Sequence, residues 1–184
     1  LSAVEKYSMP TKSFLYNLTT LAMKKTSIDK DFTHAKYSPK YNKINYKDKK
    51  FIKHELFHMA ASKKGQTTGV SYIAKNGMHV GEALNEGITE LFSKLNDPSY
   101  EVQYPFEKMV SETLCFIYGG FDIFKGHFNN DCEEFLNDLG DVRLGRELLV
   151  QLDKFRNSYI QVVDKLTIEE KFDETEFYQV RFLF

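Results

Sequence analysis

The chain has 184 residues, 25 basic and 26 acidic side chains, and a formal net charge of -1. Its 42% apolar content, with 16 Phe and 11 Tyr, supplies a sizeable core and argues against global disorder. The balanced charge gives no basic footprint for nucleic acid, no apolar run nears the roughly 20 residues of a membrane span, and Cys115 and Cys132 cannot form a disulfide scaffold or a Cys-rich zinc module.

Helical spacing of Phe14, Leu15, Leu18, Leu21 and Ala22 predicts a first helix over Thr11 to Lys25. Two short strands are expected in Asp31–Tyr37 and Tyr41–Tyr46, separated by Ser38-Pro39-Lys40. Asp48 can cap a helix from about Lys49 to Lys64, with Gly65 as its stop. Thr67 to Ala74 reads as strand or loop, and Asn76-Gly77 as a turn. Further helices are expected at Gly81–Leu95, Tyr100–Tyr118, Asp131–Leu139 and Leu144–Leu166. The alternating acidic and aromatic residues of Ile168–Phe184 suit a strand or an ordered tail. The fold class is α+β and predominantly helical: one domain over 1–184, with a lobe at 1–78 holding the small N-terminal sheet and a helical lobe at 79–184.

Residues 54–58 read His54-Glu55-Leu56-Phe57-His58, the HExxH pattern. On a helix the two histidines stand one turn apart on one face, so both imidazoles can reach one zinc ion. Glu55 is placed beside that ion, able to act on a water molecule. Positions 61 and 64 are Ala61 and Lys64, which excludes a third histidine in the metzincin arrangement. Catalytic zinc usually has three protein ligands, so a further one must come from elsewhere. The next helix carries Glu82, Glu86 and Glu90 at i, i+4 and i+8, a stack of carboxylates that favours a cation nearby. Glu86 as ligand and Glu90 as the partner of a ligand histidine is the economical assignment.

HExxH followed by Asn85-Glu86-Gly87-Ile88-Thr89-Glu90 resembles the gluzincins, the thermolysin-like zinc metallopeptidases. The resemblance spans roughly residues 41–95. It implies a zincin-like fold, Zn²⁺ held by His54, His58 and Glu86, and Glu55 as general base and acid. Glu90 stands where the family has an acidic residue that orients the first histidine ligand, here Glu rather than Asp. The family also binds extended substrate along a sheet edge, for which Tyr41–Tyr46 is the candidate. In the lethal-factor-like branch a Tyr about seven residues before the glutamate ligand helps to stabilise the oxyanion, and here that position is His79. Tyr72, Tyr100, Tyr104 and His127 are other candidates. His127 otherwise reads as structural or exposed, and His34 as non-catalytic.

The function expected is hydrolysis of peptide bonds by a zinc metalloendopeptidase, with a peptide or protein as substrate. The alternatives are a catalytically idle relative that binds or regulates, against which the intact Glu55 speaks, and a helical interaction protein with a chance motif. Residues 1–20 do not read as a signal peptide, being interrupted by Glu5, Lys6 and Lys12. The chain begins at Leu1 rather than Met, so removal of an upstream segment stays open. The compartment is unassigned, with the two free-looking cysteines leaning towards the cytoplasm.

Overall fold

A computed structural model describes residues 17, 19, 27–29, 35–46, 48–62 and 67–169, with side chains as far as 162. Most of the expected helix at Thr11–Lys25, His34, Gly65, and the tail beyond Glu169 lie outside the described residues. The described chain is mainly helical, with two small sheets. Among the described residues, no helix is long and apolar enough to cross a membrane.

Strands β1 (Ser27–Asp29), β2 (Lys36–Ser38) and β3 (Lys43–Asn45) form the first sheet, in the order β1-β3-β2. β3 pairs in parallel with β1 and antiparallel with β2, Tyr37 standing opposite Ile44. β3 is therefore a central strand, and Tyr41–Tyr46 cannot offer the free edge expected of it. Alternation misses this because it shows which residues are buried, not which strand is flanked on both sides. Here Tyr37 and Ile44 bury their side chains with Met59 of the following helix.

That helix, α1, runs over Ile52–Ala60 after a 3₁₀ turn at Lys49–Phe51. Asp48 begins the turn as expected, its carboxylate accepting the Lys50 N–H at 3.0 Å. α1 is shorter than the periodicity predicts. The returning chain closes its C-terminal end: the Gly69 N–H donates to the Ala61 carbonyl at 2.8 Å. A hairpin of β4 (Tyr72–Ile73) and β5 (His79–Val80) then turns at Asn76-Gly77, as expected.

Helix α2 (Glu82–Asn96) is the centre of the core. Its Ala83, Leu84, Ile88, Leu91 and Phe92 are buried. It packs against α1, against α3 (Pro105–Ile117) and against the long α6 (Val142–Glu169). Phe92 sits within 5.1–6.3 Å, centroid to centroid, of Phe57, Phe121, Phe124 and Phe128. The last three belong to a 3₁₀ turn (Phe121–Phe124) and a short helix α4 (Lys125–Asn129), where the sequence pattern assigns no element. Glycines mask that segment's helical character, yet Gly126 is needed there. A Cβ on it would lie 2.5 Å from the Phe135 nitrogen of α5 (Cys132–Asp138).

The N-terminus of α2 has no cap of its own. Gly81 takes φ +87° at the cap position and carries no side chain. Asp153 of α6 supplies the acceptor instead, its carboxylate taking the Gly81 N–H at 2.6 Å and the Ala83 N–H at 2.7 Å. Removing it with Asp153→Ala is expected to cost about 1–2 kcal/mol, read as a lower thermal midpoint. An unchanged midpoint would show that water satisfies these amides as well.

Candidate metal centre

α1 and α2 cross so that one face of each is shared. His54 and His58 project from α1, and Glu86 from the first turns of α2. The His54 and His58 Nε2 atoms are 3.0 Å apart. Glu86 Oε2 lies 3.1 Å from the first and 3.2 Å from the second. A tetrahedral shell with zinc–nitrogen and zinc–oxygen bonds near 2.0–2.1 Å separates its ligand atoms by roughly 3.3–3.4 Å. Two imidazole nitrogens and one carboxylate oxygen converging at nearly that spacing could hold a metal ion.

The charge state of the cluster follows from its burial. His54 and His58 are 5% and 6% exposed, and Glu86 is partly exposed towards the cleft. Burial alone would make Glu86 harder to ionise. The adjacent His58 and His54 outweigh that and hold its carboxyl well below the usual range. Burial likewise works against a proton on His58, but the Glu86 carboxylate moves its pKa up on balance. Glu86 and His58 thus stabilise opposite charge on each other, and a bound cation would stand in for the proton that His58 gives up.

The carboxylate row of α2 runs from solvent to interior. Glu82 is half exposed and pairs with His79 Nδ1 at 3.2 Å. Glu90 is fully buried, its Oε1 lying 3.4 Å from His54 Nδ1. The same oxygen accepts the Tyr100 O–H at 3.0 Å and the Gln103 N–H at 3.2 Å. Glu90 thus stands at the far side of the His54 ring together with the Tyr100 hydroxyl, which lies 3.3 Å from the same Nδ1. Sequence reasoning assigns no such role to the partners of His58. Asn85 Nδ2 and Thr89 Oγ1 each stand 3.3 Å from His58 Nδ1. The Asn and Thr of the second motif are the signal that could have found them, since i and i+4 place both beside the same ring.

Glu55 is 4% exposed, yet its carboxylate borders the cleft in front of the cluster. Burial pushes its pKa up, partly offset by the two histidines. It accepts a short hydrogen bond from the Tyr37 N–H, which ties α1 to β2. The cleft is about 500 Å³ and is also lined by Lys36, Ser38, Tyr104 and Arg156. β2 is the strand that lies along it, and it is an outer strand of its sheet.

His79 reaches the rim of this cleft, half exposed and turned to Glu82. Tyr104 also lines it, its ring centroid 5.9 Å from that of His54. Burial pushes the Tyr104 phenol up to about 12, so it keeps its proton for donation. Tyr100 stacks on His54 at 6.4 Å but is buried, its hydroxyl committed to Glu90. His127 is neither exposed nor on the cleft. It is fully buried behind His58.

No family model, curated protein or solved structure matches this chain.

Proposed function

We propose that the chain is a zinc metalloendopeptidase of zincin-like fold that hydrolyses peptide or protein substrates. The observation that carries this reading is the His54–His58–Glu86 cluster opening onto a cleft bordered by Glu55. His54, His58 and Glu86 would hold the metal. Zinc there supplies a Lewis acid and makes water a nucleophile near neutral pH.

The chain's own residues account for the rest. Glu55 takes the proton of the attacking water and returns it to the leaving amine. Its buried position and its bond from the Tyr37 N–H hold it in one orientation. Of the donors that line the cleft, Tyr104 is the one beside His54 and so the one placed for a developing oxyanion, with His79 at the rim. Among the described residues β2, rather than Tyr41–Tyr46, is the outer strand along the cleft beside which an extended substrate would lie, the Tyr37 N–H itself being held by Glu55. Arg156 adds positive charge to the same wall, with Glu107 3.4 Å behind it.

The test is cleavage of an unfolded protein substrate by the purified chain. Activity is expected to vanish on treatment with a zinc chelator and to return on adding zinc. Cleavage that persists without metal contradicts the proposal. So does a zinc-loaded chain that cuts none of a broad peptide set.

A further inference from the structure

His127 has no place in this chemistry, yet its setting is unusual. It is 0% exposed, and among the described residues neither ring nitrogen has a hydrogen-bond partner. The Oδ1 of buried Asn85 is also without one. These orphaned atoms are neighbours. A Cβ placed on Gly69 would lie 2.2 Å from Asn85 Oδ1 and 2.3 Å from His127 Nδ1, so both atoms border one small space that only a glycine backbone leaves open. Leaving buried polar atoms unpaired is destabilising, so an arrangement that pairs them is favoured.

Metal binding supplies one. Asn85 Nδ2 now faces His58 Nδ1 at 3.3 Å and donates to Thr68 Oγ1 at 2.9 Å. A histidine that binds a metal through Nε2 carries its proton on Nδ1. Two N–H groups would then oppose each other across that contact. Turning the Asn85 amide over removes the conflict. Its oxygen then accepts from His58 Nδ1–H and from the Thr68 hydroxyl, and its N–H₂ turns towards His127 Nδ1. His127 can accept there because burial, with His58 next, keeps its imidazole neutral, pushing its pKa down to about 3.

We propose that His127 is a positioning residue for the metal centre: it holds the Asn85 amide in the orientation that fixes the metal-binding tautomer of His58. This rests on the zinc reading of His54, His58 and Glu86. It adds a third layer, drawn from α4, behind a ligand of α1.

Zinc affinity of the full chain, read by competition with a chromophoric chelator, tests the idea without any assay of cleavage. His127→Leu is expected to bind zinc about 10-fold to 100-fold more weakly than the parent. His127→Asn keeps an acceptor near the Nδ1 position and is expected to stay close to parental affinity. In an Asn85→Ala background, His127→Leu is expected to cost nothing more, because its route to the metal is gone. Equal weakening by Leu and Asn, or the same loss with and without Asn85, would mean that His127 only fills space, and either overturns the proposal. If His127→Leu does not fold, His127→Gln takes its place, since Gln sets its polar atom near the Nε2 position; Gln binding as tightly as Asn also overturns it. A parent that binds no zinc overturns the zinc reading itself. A zinc-binding parent whose affinity ignores position 127 overturns only the role of His127.

Discussion

Glu55→Gln is expected to lower peptide cleavage by about 10²-fold to 10⁴-fold while leaving zinc in place. The substitution is nearly isosteric. The amide oxygen of Gln can still accept the Tyr37 N–H that Glu55 accepts, so the link from α1 to β2 survives. Glu55 is not among the three groups that converge on the candidate ion, so the metal should stay. What is lost is a carboxylate that can carry a proton from water to the leaving amine. Kinetics and zinc content must be read on the same sample. A variant that keeps full activity would remove Glu55 from the chemistry, and one that loses its zinc would make it a structural part of the site.

The second large effect is on metal binding. Glu86→Ala is expected to weaken zinc affinity by more than the roughly 100-fold that loss of an outer partner can cost. His54 and His58 would remain with their Nε2 atoms 3.0 Å apart and no anionic ligand between helices. Glu82→Ala is the matched control. Glu82 is on the same face one turn earlier but is half exposed and paired with His79, so its loss should leave affinity near that of the parent. Chelator competition on both variants decides. If Glu82→Ala loses zinc and Glu86→Ala does not, the ligand has been assigned one turn too far along α2.

The parts of the site legible in the sequence are those set by helical spacing. HExxH on an uninterrupted helix puts His54 and His58 on one face, and the Glu82–Glu86–Glu90 row does the same for α2. Which of the three carboxylates meets the histidines depends on how far one helix slides along the other, and only packing settles that. Phe92, wedged among four other phenylalanines, is the contact that fixes α2 against α1 and α4. The α4 segment carries little pattern, being short and glycine-containing, and so the sequence reads His127 only as a donor candidate or as structural or exposed. Its burial follows from a close approach to Gly69, a contact 58 positions away that no local rule encodes. The edge assignment of Tyr41–Tyr46 fails for a similar reason: β1 joins β3 in parallel, a long-range pairing, so among the described residues β2 is the outer strand beside the cleft.

The most direct measurement is the zinc content of the purified chain after metal removal and reconstitution, by elemental analysis. One zinc per chain is expected, lost when His54, His58 or Glu86 is replaced by Ala. A chain that retains no zinc near one equivalent, or one that keeps it when these three are replaced together, contradicts it.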